Sequence, residues 1–328
     1  MLTRAGEELS RALERANPWT NVVGLARTVL ASGMLVTMLF NPTSLLFVKV
    51  AGLPEPPICK GAASAGLFCV VGHAHLELGR LLAILGLLVV ASGWRPRVTA
   101  LLHVWLAWSF QVGATVLDGG DQVHQVLAIL LLPIALTDRR RWHWDAALVL
   151  SEGAGADLAK MIATSTWWLI RVQVAGIYFH ASVGKYATRE WADGTATYYW
   201  FLHPQFGVAE WQRPFVTPLL THSTVALLTW SVIVFELLLM AGLIASRRTW
   251  RYLLAGGLAL HVSIALMQGL VSFCFSMSAA LILYLRPLDA PFAFSFVRRL
   301  AARLASLAPR AGAALRPSSL PSIAVGRE

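Results

Sequence analysis

Charge is what this sequence has least of. Only 13% of its 328 residues are Asp, Glu, Lys or Arg, against roughly 25% in an ordinary soluble domain, and so few ions exclude a molecule wetted on every side. Cysteine is scarcer still, and three in the whole chain exclude a disulfide scaffold. No phosphate-cradling loop, dinucleotide fingerprint or zinc ribbon is present, which removes the nucleotide-binding and zinc-ribbon classes. Apolar residues fill the gap: they make up 57% of the chain and raise its mean hydropathy to +0.62. This composition predicts an all-α polytopic helical bundle in a cell membrane. The formal net charge of +10 does not argue for nucleic acid, because the arginines sit in short clusters between apolar segments, where they act as topology signals.

Eight apolar segments approach the roughly 20 residues needed to cross the hydrocarbon core: about Thr20 to Phe40, His73 to Gly93, Val98 to Val116, Gln122 to Leu136, Thr164 to Lys185, Thr221 to Ala245, Arg251 to Gly269 and Leu270 to Leu285. Met1 to Ala16 has helical charge spacing and predicts a cytoplasmic surface helix rather than a cleavable signal. Trp142 to Ala163 predicts a short interfacial helix, and residues 291–328 a basic tail, first amphipathic and then disordered. Between the two ends, residues 17–290 form the transmembrane domain. Placing both termini in the cytoplasm gathers Arg95 and Arg97, Arg139 to Arg141, and Arg247, Arg248 and Arg251 on that side, as the positive-inside rule requires. Lys185, the loop holding Cys59 and Cys69, and the Asp118-Gly-Gly-Asp121 turn then share the opposite side. If that side is outside the cytoplasm, Cys59 and Cys69 are candidates for a bridge.

The fifth segment ends in Tyr178-Phe-His-Ala-Ser-Val-Gly-Lys185, followed by Arg189, Glu190, Trp191 and Asp193. Ionisable groups at the mouth of a membrane helix must be hydrated, paired or functional. Tyr178, Ser182 and Lys185 fall on one helical face, and Arg189, four residues beyond Lys185, would repel its proton and favour a general base. A snorkelling lysine that anchors the helix end explains the same residues. Ser182 with Lys185 also has the spacing of a serine–lysine dyad, which any helix produces by chance. Within the segments lie Arg27, His103, Arg171, Glu236 and His261, all needing partners inside the bundle. A Glu236–His261 hydrogen bond is the simplest pairing, serving either to pin two helices or to relay protons to a quinone. His73, His75 and Glu77 do not make a metal site, since side chains two apart point to different sides of a helix.

Tyr178 to Lys185 with Glu190-Trp191, Phe235-Glu236, Leu260-His261 and the Phe-Ser-Met-rich eighth segment resemble the membrane domain of the vitamin K-dependent gamma-carboxylases, also called the horizontally transferred transmembrane domain. Within that superfamily, Asn21 to Phe40, Ser92-Gly-Trp-Arg-Pro-Arg97, Asp118-Gly-Gly-Asp-Gln122 and Leu136-Thr-Asp-Arg-Arg140 resemble the bacterial sporulation-delaying protein B family. The similarity covers about Asn17 to Pro287. The carboxylase resemblance implies a lysine that deprotonates a reduced, vitamin K-like quinone. That role falls on Lys185, with His180, Glu236 and His261 in support, and with Tyr178, Ser182, Arg189, Glu190, Trp191, Asp118 and Asp121 as substrate contacts. The sequence lacks the large extracytoplasmic domain of the carboxylases and has Gly184 in place of a second lysine. The sporulation-delaying resemblance implies maturation of a secreted antimicrobial peptide together with a small partner protein. A scaffold, an export partner or an immunity-type binder of the peptide is the non-enzymatic alternative. Either a thiol-linked maturation step or a structural bridge would use Cys59 and Cys69.

Overall fold

The computed structural model describes residues 17–52, 54–149 and 153–293. The surface helix expected over residues 1–16 and the tail expected beyond 293 lie outside these residues. Eight helices of 15 residues or more stand where the eight apolar segments were expected: α1 (Asn21–Phe40), α2 (Leu76–Ser92), α3 (Pro96–Gly113), α4 (Gly119–Thr137), α5 (Ala154–Lys185), α6 (His222–Ala241), α7 (Arg247–Gln268) and α8 (Val271–Leu285). No strand occurs among the described residues. Among the described residues five helices are long and apolar enough to cross a membrane: α1, α2 with its preceding turn from His73, α4, α6 and α7. Helix α8 is apolar but shorter, while α3 and α5 carry more polar residues.

Stripes of exposed apolar side chains at helical spacing support a lipid environment. Leu81, Leu85 and Leu88 on α2 are about half exposed, as are Leu169, Val172, Phe179 and Val183 on α5; Leu227, Trp230, Val234 and Leu238 continue the pattern on α6. In water such stripes would be a large exposed apolar patch; in lipid they carry no penalty.

Helix α8 occupies the middle of the bundle, packed on α1, α4, α5 and α7. Its residues Ser276, Met277 and Ala279 to Leu285 are all buried, so it needs no polar face and can be short. Close approach to it depends on small residues. At Gly33 of α1 an added Cβ would meet Phe275 Cβ at 2.9 Å, and at Gly120 of α4 it would meet Phe273 Cα at 2.6 Å.

Local signals explain the helix ends. Gly93, in the left-handed region at φ 83°, closes α2, and Pro96 opens α3 at a position where its missing N–H costs nothing. Asp118-Gly-Gly-Asp121 is a capping box rather than a glycine turn: the Asp118 carboxylate accepts from Asp121 N at 3.0 Å, and the Asp121 carboxylate from Asp118 N at 3.0 Å. Between α4 and α5 the interfacial helix expected from Trp142 onward is absent. Trp142 pairs with Trp94 in an isolated bridge, and Ala154 to Ala163 form the start of the 32-residue α5. The buried Asp138–Arg140 ion pair, 2.7 Å, folds this segment back, Arg140 donating to the carbonyls of His143 and Asp145. Cys59 and Cys69 are joined as a disulfide in the loop between α1 and α2.

Candidate functional site

Hydrogen bonds between helices set the level of each side chain along the bundle. At the arginine-rich end, Trp167 Nε1 donates to Leu283 O, Arg171 Nε donates to Tyr284 O, and the Tyr284 hydroxyl donates to the carbonyls of Leu239 and Met240. From Arg171 to Lys185, α5 climbs about 21 Å at 1.5 Å per residue. Tyr178 hydrogen bonds His261 Nε2 at 2.9 Å, and the His261 ring meets Phe273, in the first turn of α8, edge-on at 5.4 Å. One turn on, Ser182 Oγ donates to Ile233 O at 3.0 Å. The C-terminal end of α5 therefore lies level with the start of α8, the end also occupied by the Asp118 cap.

At that end Lys185 and Glu236 pair. The ammonium donates to Glu236 Oε1 at 2.8 Å, to Oε2 at 2.7 Å and to Ala181 O at 3.1 Å. Its three protons are thus all accepted. Trp191 covers it, with Nζ 5.1 Å from the ring centroid, a cation–π distance. The side chains keep 19% and 11% of their exposure, so the pair is not fully enclosed.

This arrangement changes several expectations. Glu236 pairs with Lys185, not with His261, because α5 lies against α6 and supplies a cation within reach; His261 pairs with Tyr178. Arg189 does not share a helical face with Lys185: α5 stops at Lys185, Arg189 begins a separate short helix after Thr188, and its side chain is 92% exposed, with Nε 4.0 Å from Asp193. The repulsion expected to prime Lys185 as a base is absent. Helical geometry also takes His180 away from the site. It lies two residues from Tyr178 and Ser182, both buried, and is itself exposed on the opposite face. Glu190 is exposed beside the site, and its carbonyl accepts from Thr195 N. Asp118 and Asp121 cap α4, and Asp118 additionally accepts from Ser272 Oγ at 3.1 Å. Those bonds give the two acids a structural use.

A reduced quinone does not fit the amine as it stands. A base must offer a lone pair, and Lys185 offers one only after passing a proton to the Glu236 carboxylate that holds it. A cavity of about 230 Å3 is lined by Thr195, Tyr198, Tyr199, Leu220, His222 and Val225 and does not include Lys185.

The remaining ionisable side chains lie elsewhere. His103 and His124 join Nε2 to Nε2 at 2.8 Å between α3 and α4. Arg27 donates to Thr99 at 2.8 Å. Arg171 lies among the rings of Trp167, Trp168, Trp250 and Tyr284, at 4.3–5.7 Å. Glu77 accepts from Thr43 and Arg80, while His73 and His75 are exposed. In the linker after α4, burial, with Arg27 and Arg140 nearby, pushes the His143 imidazole down to about 2. Sequence reading missed His124, whose only signal was an imidazole three residues after Asp121 in an apolar run. It also missed Thr197 and Thr229, hydroxyls 2.8 Å apart that tie the segment after α5 to α6.

No family model matches the chain, and no solved structure does. Among curated proteins it is 39% identical over 302 residues to the uncharacterized protein YitO of Bacillus subtilis strain 168, covering 92% of this chain and 96% of that one. It is 36% identical over 279 residues to the sporulation-delaying protein SdpB of the same strain, covering 84% of each. Identity of that order, sustained along nearly the whole length of both sequences, means that the chain belongs to the SdpB family of sporulation-delaying proteins.

Proposed function

We propose that this protein is an integral membrane maturation factor for a secreted antimicrobial peptide, with all eight long helices crossing the membrane, both termini cytoplasmic and the Lys185 end facing outward. Membership of the SdpB family supports a place in peptide toxin production, and the arginine clusters support the orientation. The carboxylase-like superfamily supplies the wider relation, through the lysine segment and its neighbours. A small partner protein completes the system.

The observation that carries the chemical part is the Lys185–Glu236 pair at 2.7 Å. Proton transfer across so short a contact leaves a neutral amine beside a carboxylic acid, an acid–base couple at the outer end where an exported peptide passes. Lys185 carries the proton, Glu236 exchanges it, and Trp191 limits access of water.

Lys185→Arg tests this reading. Arginine retains the charge and the ion pair but does not release its proton in proteins. The variant should accumulate in the membrane normally while the exported peptide loses its activity and its mature mass. Full peptide activity in Lys185→Arg cells would remove the proton-transfer role.

The exposed aromatics of the segment between α5 and α6 favour a second reading, a scaffold or export partner that binds the peptide without chemistry. Tyr199 is 58% exposed, and Trp211 and Phe215 are each 72% exposed. Peptide of unchanged mass but altered secretion in cells lacking the protein would select it.

A further inference from the structure

Above the Lys185–Glu236 pair, the segment from Tyr186 to Leu220 folds over the first half of α6 as a cap. Three short α-helices, Arg189–Ala192, Ala196–Phe201 and Arg213–Val216, and a 3-10 turn, Thr217–Leu219, form it. The cap is anchored to α6 by Thr197, whose backbone N donates to Thr229 Oγ1 at 3.1 Å and whose hydroxyl lies 2.8 Å from it. Gly194, at φ 85°, lies close against Trp230. Beyond this seam the cap and α6 separate, leaving the cleft of about 230 Å3.

We propose that this cleft binds an apolar or aromatic side chain of the peptide substrate and presents a neighbouring part of the peptide to the Lys185–Glu236 pair. The inference rests on the peptide reading given above and adds the place and chemistry of recognition.

Alignment is the first support. Val225, Thr229, Ile233 and Glu236 recur at four, four and three residues and are all buried, so they form one face of α6. Down that face the contacts follow in order: the cleft at Val225, Thr197 at Thr229, Ser182 at Ile233 and Lys185 at Glu236. The cleft and the pair therefore lie on one line along the helix.

Chemistry is the second support. The rings of Tyr198 and Tyr199 meet edge-on at 5.6 Å. With Leu220 and Val225 they give the cleft an aromatic and aliphatic wall, and Thr195 and His222 add groups able to bond a peptide backbone. The cap around it carries the acids Glu190, Asp193 and Glu210 against the bases Arg189 and Arg213. That near balance offers no strong field, so selection falls to shape, to contact with the rings and aliphatic groups, and to hydrogen bonds from the polar part of the lining.

Spacing makes the proposal quantitative. The eleven residues from Val225 to Glu236 span about 16 Å of helix, and an extended chain covers about 3.3 Å per residue. Because the Thr197–Thr229 and Ser182–Ile233 contacts close the direct path along this face, a peptide passes outside them, and the residue acted on should lie at least about five positions from the anchoring side chain.

The test uses the purified full-length protein and a synthetic probe, acetyl-photoleucyl-phenylalanine amide, activated by light, with adducts mapped by mass spectrometry. Adducts should concentrate on Tyr198, Tyr199, Leu220 and Val225. Excess acetyl-leucyl-phenylalanine amide should suppress them, and acetyl-aspartyl-lysine amide should not. Leu220→Trp fills the cleft, and Tyr199→Ala removes a wall from an exposed position that folding tolerates. Each should lower cleft labelling about tenfold, the change expected from losing one good apolar contact. Adducts scattered along the outward stripes of α2, α5 and α6, or cleft labelling unchanged in both variants, would overturn the proposal. If the cleft labels as expected while Lys185→Arg still matures the peptide, the binding site stands and the proton-transfer role falls. If labelling fails while Lys185→Arg abolishes maturation, the cleft alone is wrong.

Discussion

Replacing Lys185 by Met tests how the Lys185–Glu236 pair contributes to stability. The substitution keeps the length of the side chain and removes its charge, leaving the Glu236 carboxylate, 11% exposed, without a charged partner among the described residues. Stranding a largely buried charge costs about 2–4 kcal/mol, and the lower part of that range applies because the pair is not fully enclosed. Replacing both members, Lys185→Met with Glu236→Gln, removes the stranded charge as well and should cost no more than about 1 kcal/mol, since neutral substitutes for an ion pair are often tolerated. In a chain of this size roughly 2 °C of Tm accompanies each kcal/mol. The single variant should thus melt roughly 4–6 °C below wild type and the double variant within roughly 2 °C of it. Tryptophan fluorescence during heating in detergent reads the difference directly. If the double variant melts as low as the single one, the 2.7 Å contact does not hold in the folded protein and the pairing derived from it is wrong.

Two further outcomes follow from features away from the site. Because burial pushes His143 down to about 2 while the unfolded chain titrates near 6.5, the folded imidazole stays neutral as the unfolded one gains a proton. Stability is unaffected above pH 6.5 and falls as the pH drops below it, by up to about 2 kcal/mol at pH 5. The Tm difference between pH 7.5 and pH 5 should shrink in His143→Gln, and an unchanged difference would place the acid sensitivity elsewhere. Gly120→Ala puts a Cβ 2.6 Å from Phe273 Cα, between backbones that have no flexible atoms to yield. It should destabilise by about 1–3 kcal/mol, with Gly119→Ala, whose nearest atom is a ring carbon at 3.7 Å, as a near-neutral control.

Much of this protein was legible along the chain. Each of the eight long helices follows from an apolar stretch bounded by its own breakers and caps, and the gathering of arginines at one end follows from alternation of direction. These are local properties, because a helix closes its hydrogen bonds within itself and apolar length is counted on one strand of sequence. Even the need of Lys185 for a partner followed from the sequence, as a charge ending a greasy run. Which atoms meet was not legible. That Glu236 takes Lys185 while His261 takes Tyr178 depends on how far α6 and α7 slide against α5, and that register is set by the packing of all three around the buried α8 and by the close approaches at Gly33 and Gly120. The sequence by itself determined the helices, their polarity and the charged segment at the end of α5. Only the tertiary structure decided that Arg189 swings away, that His180 faces outward and that a cap over α6 encloses a cleft. Those facts arise where a helix stops and the chain turns, and no periodicity records the direction of a turn.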